Sequence, residues 1–205
     1  MAATPPKKRG RPRAFDEGFV LERATETFLR HGLAGASLDT LTTAMELSKP
    51  SLYGAFGDKR QLFLRVVEAR ATAVARRIRG AFDRGQTLHE AVRAMLGEAV
   101  EVYTDGTMPP GCLVVSACAT EAPTDDEIAR FSREFFVRCD LAVARWLEEK
   151  HGVRGPARAR ALGRLLNGVI HDIALRARVG EPRASLLDYA REAADTLAPG
   201  DAGES

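Results

Sequence analysis

The chain has 205 residues, enough for one large or two small domains with a buried core. Hydrophobic residues make up 45% of it and aromatics only 6%, with many Ala, Leu and Arg, a balance that favours an all-helical protein. The net charge is only +2, no apolar run reaches the length of a membrane span, and no signal-peptide core follows the basic start, so the expectation is a soluble cytoplasmic protein without a membrane partner.

Residues 1–13 form an arm with five basic side chains, Lys7, Lys8, Arg9, Arg11 and Arg13, and no acidic one, which suits a polyanion. A first helix is expected from the N-cap Asp16, with Phe15 stapled onto Val20, an apolar stripe of Val20, Ala24 and Phe28, and a stop at His31-Gly32. A second starts after Ser37 and carries Leu38, Leu41, Ala44 and Met45. Glu46, Leu47 and Ser48 make a three-residue turn, and a third helix runs from Lys49 to Phe56. Gly57 ends it, and Asp58 caps a fourth helix that reaches about Gly80, with Gln61 placed for a capping box. The fifth runs from Thr87 to about Tyr103 and breaks at "DGTMPPG". A short helix is expected from Gly111 to Ala119 and a long one from Thr124 to Lys150. After a break at Gly152–Pro156 come the last two, Ala157 to Val179 and Pro182 to Leu197, and a polar tail from Pro199.

Leu38 to Phe56 is therefore helix, turn, helix, with Leu41, Leu47, Leu52 and Phe56 placed to pack the pair together. That is the helix-turn-helix arrangement, whose second helix can lie in a DNA major groove. Lys49 and Lys59 stand at the first positions of two helices, where the helix dipole disfavours cations. A phosphate bound there offsets the charge. Tyr53 is one residue off the core stripe, so its ring can rest on the core while its hydroxyl reaches a phosphate. An ordinary helical hairpin with snorkelling lysines fits the same pattern.

"SLDTLTTAMELSKPSLYGAFGDKRQLF", Ser37 to Phe63, resembles the DNA-binding domain of the TetR family of bacterial transcriptional regulators. The motif-level resemblance covers about residues 14–63; beyond it, only the number and lengths of the helices agree. It implies an N-terminal three-helix DNA-binding domain at 14–63, with the helix-turn-helix at about 37–56, that binds double-stranded DNA as a homodimer. A regulatory and dimerisation domain at 64–198 would follow, with a pocket for a small-molecule effector, and then a tail at 199–205. Carried over by position, Lys49, Pro50 and Ser51 face the major groove. Tyr53 and Lys59 hold phosphates, and Ser37 and Thr40 hold the backbone from the other side. Pro50 stands where a glycine is frequent, which a first helical turn accepts. Glu46 stands where the turn often has glycine, so the backbone there is strained or differs. Gly54 and Ala55 leave few long side chains for reading base edges. The arm's "KKRGRPR" resembles an AT-hook core, which would lay Arg9, Arg11 and Arg13 along a narrow A·T minor groove; a basic tail adding nonspecific affinity fits as well.

In the regulatory half, "MPPGCLVVSACA" resembles a Gly-Cys-Leu segment that starts a helix in many members of the family. Cys112 would lie in that helix's first turn, where the dipole lowers a thiol pKa; a reactive thiol and a plain pocket or core residue are the two readings. The three cysteines show no CxxC spacing, which indicates a reducing compartment and no disulfide framework. Asn167 and His171 share one apolar helix face and need buried partners, from a ligand, a facing subunit or a neighbouring helix. With Cys112 and Trp146 they are the ligand-pocket candidates. The same helix is apolar on more than one face, so Leu162, Leu165, Val169 and Ile173 are assigned to a dimer interface with Leu186, Ala190 and Leu197 of the last helix; a monomer packing them internally is the alternative. No metal-ligand spacing, catalytic motif or phosphate-binding glycine loop is evident, so no cofactor, metal or enzymatic activity is expected. The reading is an all-α, dimeric, ligand-responsive transcriptional regulator, a repressor released by a small molecule. The alternatives are an architectural DNA-binding protein working through its arm, and a small-molecule carrier or enzyme on the same helical scaffold.

Overall fold

The computed structural model describes residues 15–200, apart from the side chains of Cys118 and Ala119, and these residues form nine helices and no strand. In order they are α1 Glu17–Gly35, α2 Leu38–Ala44, α3 Lys49–Phe56, α4 Lys59–Arg84, α5 Leu88–Thr104, α6 Leu113–Thr120, α7 Asp126–His151, α8 Pro156–Arg178 and α9 Arg183–Leu197. No helix among the described residues is long and apolar enough to cross a membrane.

Local chemistry starts most of these helices. Asp16, Ser37, Ser48 and Asp125 each accept a backbone N–H in the first turn of the helix that follows. Asp58 with Gln61 and Thr87 with Glu90 form full capping boxes. Several boundaries differ from the sequence expectation. α1 runs on to Gly35 after a break at Gly32, and α4 reaches Arg84 rather than Gly80 because Ile78, Ala81 and Phe82 still bury an apolar face. α6 starts two residues late, so Cys112 is its N-cap and not part of its first turn. Glu46 does take the left-handed conformation expected to trouble a residue other than glycine, at φ 53.

Two apolar cores result. One gathers Phe28, Leu29, Leu41, Leu52, Phe63 and Val67 from α1–α4, together with Leu113 and Val114 of α6 and Phe135 of α7. The other gathers Phe82, Met95, Leu96, Leu147, Leu166 and Leu186 from α4, α5, α7, α8 and α9. α4 threads both, so the cores do not part at residue 63. α7 and α8 cross closely at Gly163, where an added Cβ would stand 2.9 Å from the Asp140 carbonyl oxygen and 3.0 Å from the Ala144 nitrogen.

This packing corrects part of the expected dimer interface. Ile173, Leu186 and Ala190 are fully or almost fully buried inside their own subunit, because α5, α8 and α9 pack on one another through the faces that carry them. Leu162, Val169 and Leu197 are half-buried against the same core. Of the seven candidates only Leu165 is exposed, at 55%. It belongs to a different stripe of α8, formed by Ala161, Leu165, Gly168, Asp172, Leu175 and Val179. Their spacing alternates four and three residues, the period of a helix-pairing seam. Val137 and Leu141 of α7 are exposed as well.

Candidate nucleic-acid interface and ligand cavity

α3 is anchored from below and open above. Leu52 and Phe56 are buried in the first core, while Lys49, Pro50, Ser51, Tyr53 and Gly54 are exposed. Ser48 holds the helix start, its Oγ accepting the Ser51 N–H and lying 2.8 Å from the Ser51 hydroxyl. Ser37 repeats the device on α2, accepting the Thr40 N–H and lying 2.8 Å from the Thr40 hydroxyl. Both pairs are exposed. Tyr53 is 49% exposed, so its ring is half-covered while its edge remains in solvent.

The two lysines at helix starts have protein partners that the sequence reading missed. Lys49 Nζ lies 2.6 Å from Asp39 Oδ1, and the hydrogen bond and charge of Asp39 raise the lysine pKa. Lys59 Nζ donates to the carbonyls of Ala34 at 3.4 Å and Ala36 at 3.2 Å. Those carbonyls close α1, so the cation that opens α4 sits at the negative end of another helix. Neither lysine needs a phosphate to be tolerated, though an ammonium has three donors and keeps some of them. Arg9, Arg11 and Arg13 lie outside the described residues.

A second site lies where the two cores meet. A cavity of about 110 Å³ is walled by Leu29 and Val67 of the first core and by Ile78, Val143 and Ile170 of the second. All four pocket candidates, Cys112, Trp146, Asn167 and His171, line it. So do Arg70, Tyr103 and Cys139, which sequence reasoning did not single out as lining a pocket because helical periodicity marks them only as edges of apolar faces. Asn167 donates to Asp140 Oδ1 at 3.2 Å, so a neighbouring helix supplies one of its partners. Burial lowers the His171 pKa against the raising effect of Asp140, which favours the neutral imidazole. The His171 ring lies 5.1 Å from that of Phe136, edge to face.

Burial, reinforced by the Cys112 thiol, pushes Cys139 up to about 12. Tyr103 is raised well above its usual range by burial first and then by Cys112, to which its hydroxyl is hydrogen-bonded. Among the described residues no three His, Cys, Asp or Glu side chains cluster as a metal site would require.

The cavity is tied to the DNA-facing half. Arg178, at the end of α8, donates through Nη1 to the Leu29 carbonyl of α1 at 2.8 Å and to the Pro110 carbonyl at 3.2 Å. Gly111, at φ 114, makes this possible: a Cβ there would meet Arg178 Cδ at 2.9 Å. Leu29 and Gly111 themselves line the cavity.

Comparison with known proteins agrees with this geometry. Residues 20–66 match the family model for bacterial regulatory proteins of the tetR family. The uncharacterized HTH-type transcriptional regulator YezE of Bacillus subtilis is 32% identical over 192 residues, covering 91% of each chain. The HTH-type transcriptional repressor ComR of Escherichia coli is 25% identical over 90% of each. Among solved structures, a cysteine mutant of the TetR family transcriptional regulator CifR, complexed with 26-base-pair double-strand operator DNA, superposes with a TM-score of 0.79 at 30% identity, over 90% of this chain and 98% of that one.

Proposed function

Since the chain belongs to the TetR family of bacterial transcriptional regulators, we propose that it works as a dimeric repressor that leaves its operator when a small molecule fills the cavity between its cores. The observation that carries the DNA half is the exposed edge of α3 above the buried Leu52 and Phe56. Lys49, Pro50 and Ser51 enter the major groove. Tyr53 holds a phosphate, and Lys59 reaches another with a donor not used by the α1 carbonyls. The hydroxyls of Ser37 and Thr40 hold the backbone at the start of α2. The arm through Arg9, Arg11 and Arg13 adds salt-sensitive affinity. Phosphate contacts position the domain and base contacts specify the sequence.

The dimer pairs two copies through the α8 stripe around Leu165 and Gly168, flanked by Val137 and Leu141 of α7. Its apolar residues are exposed in the single chain, and Gly168 offers no side chain to keep a facing helix away. Pairing fixes the distance between two α3 helices, which must match about one DNA turn, roughly 34 Å, or a suitable multiple. A ligand that binds better to a conformation with another spacing shifts the population off DNA. Because the cavity is walled by both cores and by Leu29 of α1, its occupancy bears on where the DNA-facing helices sit. The role is regulatory rather than catalytic.

A gel shift against DNA upstream of the protein's own coding sequence, with excess nonspecific competitor, tests this reading. One discrete complex that survives competitor is expected. Binding that competitor abolishes in proportion to its length would leave only an architectural DNA-binding protein.

A further inference from the structure

Among the described residues, Arg70 is the one charged residue lining the cavity. It projects from the middle of α4 and is half-buried, and among the described residues it makes no salt bridge and no hydrogen bond to another side chain or carbonyl. Other half-exposed or more exposed arginines do find carboxylates: Arg60, Arg65, Arg77 and Arg79 on the same helix and Arg138 on α7 are ion-paired. No Asp or Glu lines the cavity, and His171, the other basic group there, is pushed toward its neutral form by burial. The remaining walls are largely apolar. Among the described residues, the cavity is thus a small, largely apolar space with one arginine and no carboxylate in its wall.

We infer that the effector is a small monocarboxylate, whose carboxylate pairs with the Arg70 guanidinium while its hydrocarbon part fills the space between Leu29, Val67, Ile78 and Trp146. An arginine that lines a largely apolar cavity without an ion-pair partner favours an anion, and its planar fork can hold a carboxylate in two parallel hydrogen bonds. A cation is repelled, and a neutral polar group gains less. Size follows from volume: an apolar cavity near 150 Å³ holds benzene, so about 110 Å³ takes a short-chain acid of no more than about six non-hydrogen atoms. This inference rests on the cavity being the effector site, and the test separates the two ideas.

Trp146 is the chain's only tryptophan and lines the cavity, so its emission reports occupancy. The full-length protein is titrated with propanoate, butanoate, butanamide and butylamine, with operator release followed in parallel. Butanoate is expected to bind at least about tenfold more tightly than butanamide, and butylamine not to bind. Arg70→Met, checked for folding by circular dichroism, is expected to bring butanoate to the level of the amide, while Arg70→Lys keeps part of the preference. If Arg70→Met does not fold, the wild-type acid-to-amide ratio and Arg70→Lys decide. Amide binding as tight as acid binding, or an acid preference untouched in Arg70→Met, overturns the anion and leaves a cavity for neutral ligands. No response of Trp146 or of operator release to any of the four probes overturns the carboxylate and the effector cavity together.

Discussion

Lys49 shows how a single residue serves both the fold and its proposed partner. Its ammonium sits on Asp39, and that pair crosses from α3 to α2 in front of the proposed DNA face. In the proposed DNA contact a phosphate would compete with this carboxylate, so Asp39 is expected to moderate operator affinity. Asp39→Asn is expected to tighten operator binding severalfold and to steepen the dependence of log K on log salt, and adding Lys49→Ala should cancel the gain; anisotropy titrations over a salt series check it. An unchanged slope would remove Lys49 from the phosphate contacts. Tyr53→Phe removes only a hydroxyl from a half-exposed ring. It is expected to weaken operator binding by about 1 kcal/mol with little change in melting temperature, and unchanged affinity in the same titration would take Tyr53 off the DNA. The motif "SKPSLYGAF" made these positions legible, because a fixed turn places them on a known face of a short helix. Asp39 and the Ala34 and Ala36 carbonyls were not legible as partners, since long lysine side chains choose among neighbours that only the folded chain brings near.

Between elements, the proposed coupling runs through Arg178. Its two carbonyl acceptors lie on α1 near the break at Gly32 and in the loop before α6, so one guanidinium joins the end of α8 to the DNA-facing half. Arg178→Met is expected to lower the melting temperature by about 2–4 °C and to blunt effector-driven release more than operator binding itself. Equal losses in both would make the arginine a plain structural strut. His171 adds a pH term. Its folded pKa lies below its unfolded value of 6.5, so the unfolded state binds protons more readily. The stabilising contribution is complete above 6.5 and is lost as pH falls through that value toward the lower folded one. Melting temperature should therefore fall between about pH 7 and about pH 5, and less steeply in His171→Asn. An unaltered slope in that variant would assign the pH term to His151, whose pKa burial also lowers. Helix existence was readable from caps and apolar period throughout. Helix ends were not: α4 outruns Gly80 because its last turns find a buried face, a fact of packing rather than of local propensity. The cavity was half-readable, since polar residues on apolar faces stood out while Arg70 and Tyr103 looked like ordinary helix-face residues.

At the scale of the whole molecule, the proposed mechanism depends on two copies facing DNA together. Apolar surplus on α8 pointed to a partner, but counting apolar residues could not say which face was left over. The packing of α5, α8 and α9 buries Ile173 and Leu186, and the stripe through Leu165, Leu175 and Val179 is what remains. The pairing surface is therefore proposed one face away from where the sequence suggested. Leu165→Asp is the direct probe, because Leu165 is already 55% exposed in the single chain and a carboxylate there costs little in an isolated subunit. At a closed interface the same carboxylate would be buried and unpaired, and dissociation relieves that cost. The measurement is light scattering with circular dichroism on wild type and Leu165→Asp, alongside titrations on an operator with both half-sites and on a single half-site. The account predicts a wild-type dimer that prefers the whole operator, and a folded Leu165→Asp monomer that binds whole and half sites with the same weak, salt-sensitive affinity. A wild type that is monomeric at micromolar concentration and binds half-sites as well as whole ones would contradict it.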